Sequence, residues 1–408
     1  MSRPVLSTAG RRRRERLPKM PSSTPGFIGE RLREARQVRG FRANELAEIL
    51  DISPQAMSSY ETGKKTPSPA IADALAEKLN VPPHFFTRPA LAEHGQPVFY
   101  RSMSAATKQA RERAEWRLRW LESLAQYVSA SVEFPAVNLP EFDVPGNPLH
   151  LSDQDIEDLA EDARKFWRMS DGPVANMVYL LENQGVIVAR DSLGSVTLDS
   201  LSVFSDRPYV MIGTDKGTSV RWRYDAAHEL GHLLLHRNLN PKSLARPTDF
   251  KLIEKQAHRF AAAFLLPMAP FAEDFFAASL DTLRAIKPRW RVSIAMMIMR
   301  ARDGDLISDE VKRRLFINYS RRRWQRSEPL DDTLEPEIPG MMRKAVELTV
   351  TYGAQSGAGF AEDVALSTVD IESLCALRRG YLRTVDEPQV SLRADTEGAT
   401  IFQFRKKA

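Results

Sequence analysis

The chain has 408 residues, 43% of them hydrophobic and 27% charged, which is enough for two or three domains with substantial cores. No apolar run approaches the roughly 18 residues needed to span a bilayer, and no apolar stretch follows the arginine-rich start. A single cysteine, Cys375, excludes an internal disulfide and a cysteine-based zinc site, so we expect a cytoplasmic protein with no membrane partner, nucleoid-associated when bound to DNA.

The net charge of +5 is unevenly placed, because the first 90 residues carry 16 Lys/Arg against 9 Asp/Glu while the remainder is close to neutral. A basic N-terminus ahead of a near-neutral body suggests a polyanionic partner such as double-stranded DNA. Residues 1–24, with Arg11 to Arg14, read as a basic disordered arm.

Residues 25–90 break into short helical pieces. Ile28, Leu32 and Ala35 mark one face of a first helix, and NELAEIL (Asn44 to Leu50) forms a second. Ser53-Pro54 and Ser68-Pro69 each pair an N-cap with a proline at the first helical position, opening helices at Gln55 to Tyr60 and through Leu75 and Leu79. Short connections between such helices suit a helix-turn-helix module.

GERLREARQVRG, ELAEILDISPQAMSSYETGKKTPS and LAEKLNVPPHFF resemble, in order, the XRE or Cro/repressor-like family. The resemblance implies a five-helix bundle whose recognition helix, Pro54 to Glu61, turns Gln55 and Ser59 toward base edges with Ser58 on the same surface, and places Lys64 and Lys65 near phosphates. The family often begins its second helix with Ser/Thr-Gln, whereas this chain has Arg42-Ala43, and Arg42 is the substitute phosphate contact. Met57 and Tyr60 are expected to pack inside the module.

Residues 91–150 read as a connector. A long amphipathic helix from Tyr100 to about Phe134 carries Trp116, Trp120, Leu121, Leu124 and Val128 at helical spacing, with Arg111, Arg113, Arg117 and Arg119 mostly on other faces. Its stripe is expected to pack on the following domain, with a homodimer as the other use. Pro135, Pro140, Pro145 and Pro148 then punctuate a linker.

Residues 151–270 hold the chemistry. Helices are expected from Leu151 to Trp167, capped by Ser152, and from Val174 to Asn183. Strands follow at Val186 to Val188, Ser195 to Leu198, Leu201 to Phe204 and Pro208 to Ile212. Next comes YDAAHELGHLLLH, in which His228 and His232 lie four residues apart on one helical face, near enough to ligate one ion. Glu229 beside them supplies a general base, the set needed to hydrolyse an amide with Zn2+. Gly231 is a poor helix former, and its position suggests a close packing neighbour. EKQAHRFAAAFLLP offers Glu254 and, one turn later, His258 as further ligands.

Here the chain resembles the ImmA/IrrE metallopeptidases, in which a zinc helix is followed by E-x-x-A-N-x-F-A-x-x-x-L-x-P. The resemblance implies Glu254 as third ligand, as in gluzincins, and Glu229 as base. His258 replaces the usual asparagine and is expected, like His236, to support the ligands rather than bind the ion.

Residues 271–408 read as helical, with segments at Leu280 to Ile286, Val292 to Ala301, Glu310 to Arg326 and within Gly340 to Leu377, and a closing strand pair at Ser391 to Phe404. The Met296, Met297 and Met299 cluster is expected in the core. The expected whole is multidomain and mainly α: an N-terminal helix-turn-helix bundle, a central α+β zincin-like metallopeptidase domain and a helical C-terminal region. Its expected function is that of a DNA-binding regulator with a zinc endopeptidase that cuts a repressor- or antitoxin-type protein, or itself. The alternatives are a transcription factor that senses a metal or ligand without cutting, and a toxin–antitoxin component acting by docking.

Overall fold

The computed structural model describes residues 23–91, 98–101, 106–145, 147–239, 246–353 and 355–385. The basic arm, apart from its last two residues, and the expected strand pair at 391–404 lie outside these. The chain divides into two compact units, one of residues 1–35 and 42–90, the other of 36–41 and 91–408.

The first unit contains α1 (Gly29–Val38) up to Ala35, α2 (Ala43–Ile49), α3 (Pro54–Glu61) and α4 (Pro69–Leu79), closed by a 3-10 turn at Pro83–Thr87 that stands as the fifth helix. The Ser53 and Ser68 hydroxyls accept from the Ala56 and Ile71 backbone N–H groups, satisfying donors left free at the helix starts. Leu32, Leu46, Met57, Leu75, Leu79, Phe85 and Phe86 form its core. A Cβ on Gly29 would lie 2.1 Å from the Tyr60 carbonyl oxygen, so only glycine permits the approach of α1 to α3. Tyr60 itself is half-buried, less enclosed than expected beside Met57.

In the second unit, a sheet of β1 (Phe99–Tyr100), β2 (Ile187–Asp191), β3 (Ser200–Phe204) and β4 (Pro208–Gly213) runs in the order β1-β3-β4-β2. β2 and β4 are parallel, with Ile187 opposite Tyr209, while β3 is antiparallel to β4 and β1 antiparallel to β3. Helices α5 (Lys108–Val128), α7 (Met177–Asn183) and α8 (Ser219–Leu235) pack on it, with α9 (Pro247–Leu265) packed on α8 and α6 (Asp153–Phe166) on α9. After Pro267 come α10 (Met268–Asp274), α11 (Leu280–Trp290), α12 (Ile294–Asp303) and α13 (Asp309–Arg321), then α14 (Met341–Tyr352), α15 (Gly357–Val364), α16 (Thr368–Leu374) and α17 (Tyr381–Thr384). One apolar core runs from Leu139 to Tyr319, so α11 to α13 share the core of α8.

Several expectations are corrected. The connector helix starts at Lys108, capped by Thr107, and Tyr100 instead belongs to the two-residue strand β1. Arg117 is buried, donating to Asp191 and Asp370 at 2.5 Å each, and so ties α5 to the end of β2 and to α16. Ser195 to Leu198 forms a turn held by the Ser195 and Thr197 hydroxyls, 2.8 Å apart, rather than a strand. The helix expected from Val174 starts at Met177 because Asn176 caps it. Met297 lies in the core, whereas Met296 and Met299 line a cavity of about 730 Å³.

Buried acids hold the C-terminal helices to the sheet layer. Glu337 accepts from the Met177 and Val178 N–H groups at the start of α7, and Glu182 of α7 accepts from Gly340 and Met341 at the start of α14. Each carboxylate thus meets the positive end of a helix dipole.

Candidate metal centre

Helix α8 is buried along nearly its whole length, so its histidines can face only α9 and the sheet. Gly231 lets α9 come close: a Cβ there would lie 3.3 Å from the Cα and carbonyl oxygen of Ala257 and 3.2 Å from a Phe260 ring carbon. Glu254, one turn before Ala257, consequently faces the two histidines.

The result is a cluster of three donor atoms. His228 Nε2 and His232 Nε2 are 3.0 Å apart, and Glu254 oxygens lie 3.6 Å from the first and 3.1 Å from the second. Donors bonded at 2.0–2.1 Å around a tetrahedral ion stand about 3.3 Å from one another, so these edges fit a divalent ion. Glu254 Oε1 is buried without a hydrogen bond, and two imidazole nitrogens face each other across a gap. A cation shared by the three donors would satisfy both. Burial lowers the His228 pKa well below its usual value, keeping the ring neutral as a ligand must be. Burial opposes ionisation of Glu254, but its contacts with His228 and His232 outweigh that and keep its pKa below the usual carboxylate range.

His228 Nδ1 is buried without a hydrogen bond, whereas His232, His236, His258 and Glu229 have assignable partners. His232 Nδ1 is 3.0 Å from His236 Nδ1, and His236 Nε2 is 3.1 Å from Gln256 Oε1. With His236 Nε2–H donating to Gln256, His236 Nδ1 accepts from His232 Nδ1–H, which leaves the His232 Nε2 lone pair facing the cluster. His258 lies outside the donor cluster; its ring centroid is 4.4 Å from that of His228, and its Nδ1 is 3.0 Å from the Tyr224 hydroxyl. Glu229 is fully buried, accepting from the Ser200 hydroxyl at 2.6 Å and the Ser202 hydroxyl at 2.5 Å. Burial raises its pKa despite these bonds.

Ser200, Ser202, Gln256, Tyr224 and Phe99 join the site without being marked by the zinc-helix pattern. Two signals for them existed: serines at period two in an otherwise apolar strand, and Tyr224 four residues before His228 on the same helical face. Phe99, whose ring stacks 4.9 Å from that of His232, carried none.

In the first unit, Pro54, Gln55 and Ser58 of α3 and the following Lys64 and Lys65 are exposed. Ser59 is half-buried and donates its hydroxyl proton to the Gln55 carbonyl at 2.7 Å, along the helix. Arg42 is exposed as the N-cap of α2, with its N–H bonded to Glu45 Oε2 at 2.8 Å.

Among known proteins, residues 32–86 match the helix-turn-helix family and residues 181–302 the IrrE N-terminal-like domain family. The chain is also similar to the uncharacterized HTH-type transcriptional regulator RghRB of Bacillus subtilis (strain 168), 34% identical over 135 residues, covering 33% of this chain and 86% of that protein. No helix among the described residues is long and apolar enough to cross a membrane. The protein belongs to the HTH-type transcriptional regulators, joining an XRE-type DNA-binding module to an ImmA/IrrE-like metallopeptidase domain in one chain.

Proposed function

We propose that this regulator is a zinc-dependent endopeptidase of gluzincin type, which binds operator DNA through α3 and cuts a repressor- or antitoxin-type protein, or its own chain, to relieve repression. The observation that carries the reading is the trio of His228, His232 and Glu254 donors at 3.0 to 3.6 Å, with a buried Glu254 oxygen lacking any hydrogen bond. Zinc bound there supplies Lewis acidity and lowers the pKa of water to about 7.

The chain's residues provide the rest. Glu229 Oε1 and Oε2 are aimed by the two serine hydroxyls, and the raised pKa makes this carboxylate a stronger proton acceptor near neutral pH. His236 and Gln256 hold His232 in the tautomer whose Nε2 is free to ligate. On the DNA side, Gln55 and Ser58 offer exposed polar groups to base edges, while Lys64, Lys65 and Arg42 face phosphates, with Pro54 starting the helix.

The test is to incubate purified, zinc-loaded full chain with the repressor-type proteins encoded beside it and to follow both sets of chains by mass spectrometry. Wild type should generate defined fragments, whereas Glu229→Gln should retain zinc and generate none. Equal processing by the two overturns the reading.

A further inference from the structure

The exposed side of β3 is occupied by the chain itself. Phe99 and Tyr100 pair antiparallel with Ser202 and Leu201, and the Arg101 N–H donates to the Ser200 carbonyl at 3.0 Å. Side chains alternate along a strand, so Phe99 and Arg101 face α8 while Tyr100 faces away. The Phe99 ring lies nearly parallel to that of His232, at an interplanar angle of 11°. The Arg101 guanidinium pairs with the buried Asp225 carboxylate and lies 5.1 Å from the Tyr224 ring centre. On the other side, the Tyr100 hydroxyl donates to Glu115 of α5 at 2.8 Å. Arg101 also borders the 730 Å³ cavity beside the centre, together with Tyr224 and His258.

We propose that this edge is a peptide-docking site for an extended strand carrying an aromatic residue and, two positions later, an arginine, and that Phe99-Tyr100-Arg101 fills it in cis. Three observations carry this assignment. Backbone pairing along β3 recognises any extended peptide, as strand addition does elsewhere. The two inward subsites differ in chemistry, one a flat imidazole surface and the other a buried carboxylate, so they select residue type. The occupying strand is only two residues long, so its hold on the edge comes from the Phe99 and Arg101 side chains in these two subsites rather than from an extended backbone ladder. Its occupant touches a candidate metal ligand, which places a docked strand against the reacting centre. The role of that strand as substrate rests on the peptidase reading, but the docking itself does not.

Binding is therefore measured without hydrolysis, in the Glu229→Gln background of the full chain, by fluorescence anisotropy. The probe is a fluorescein-labelled peptide with the sequence of residues 95–105, GQPVFYRSMSA. Replacing both Phe99 and Arg101 by alanine in the protein should free the edge and tighten binding at least about tenfold, because the buried Asp225 is then left without its cation. The same peptide with alanine at both positions should bind at least about tenfold more weakly to that variant. Asp225→Asn, nearly isosteric and made with Phe99 and Arg101 intact, keeps the assignment testable if the double variant does not fold. It should bring the preference for arginine over alanine in the peptide below about twofold. A folded double variant that binds no tighter than the parent, or an Asp225→Asn protein that still prefers arginine, overturns the proposal. Absence of cleavage by the wild-type chain, with peptide binding intact, would count against the peptidase reading alone.

Discussion

His236 Nδ1 stands 3.0 Å from His232 Nδ1, and both rings are fully buried, so the orientation of a candidate ligand is set by a residue one turn further along its own helix. Gln256 on α9 closes the relay at 3.1 Å from His236 Nε2. Removing such a support typically costs about 10–100-fold in metal affinity. His236→Ala and Gln256→Leu should therefore each weaken zinc binding within that range, measured by competition with a chromogenic chelator. Glu254→Ala should lower the bound zinc much further, and unchanged affinity in the Gln256 variant would remove the relay from the account.

Gly231 tests the packing that brings Glu254 into place. Alanine is the better helix former by about 1 kcal/mol, but its methyl would press on the backbone of Ala257, where a buried helix has little room to give. Overpacking of this kind costs about 1–3 kcal/mol, so the clash should win. Gly231→Ala should lower the thermal midpoint and also shrink the rise in midpoint produced by added zinc. A variant more stable than wild type with an undiminished zinc response would contradict the close contact.

Acid should weaken the metal-free protein through these same rings. Burial depresses His236 to about 3 and His258 to about 4, both below the ordinary 6.5. Because the folded values are lowered, the associated stability is complete above pH 6.5 and declines as the pH falls toward 4 and then 3. Each ring contributes a slope of about 1.4 kcal/mol per pH unit within its window. Glu122 runs the other way, its carboxyl raised by burial to about 7, so its contribution is lost as pH rises from 4.5 to 7. A His236→Gln variant isolates the histidine contribution. Urea midpoints at pH 7.5 and 5.0 should differ less in that variant than in wild type, and an equal difference would mean that His236 does not titrate as its burial requires.

The helix-turn-helix unit yields a separable pair of DNA predictions. Gln55→Ala should cost about 1–3 kcal/mol on the selected operator and relax preference at one base position. Lys64→Ala and Lys65→Ala should weaken all sequences alike and each reduce the salt-dependence slope by about 0.9. Operator selection followed by anisotropy titrations over a range of salt concentrations distinguishes the two outcomes. An unaltered salt slope in the double lysine variant would take these residues off the phosphate backbone.

The capping serines before Pro54 and Pro69 announced two helices correctly because a cap acts within three residues. The same locality made the apolar strands around Val188 and Val210 readable. It failed at Ser195 to Leu198, where hydroxyl-to-backbone bonds favour a turn over a strand, and at Tyr100, whose two-residue strand is too short to impose a periodicity. The burial of Arg117 is not legible in the helix pattern, because its partners, Asp191 and Asp370, are brought beside it by distant segments.

Local pattern alone determined that His228 and His232 share a helical face, since the helix repeat guarantees it, with Glu229 next to the first in sequence, and that a short capped helix follows Ser53. Tertiary structure decided which acid reaches the imidazoles, what aims Glu229, and what lies along the open side of β3. Those outcomes depend on contacts between residues far apart in the chain, such as Gly231 with Ala257, Glu229 with Ser202, and Phe99 with His232. Their geometry follows from how helices and strands pack, which no nearest-neighbour pattern encodes.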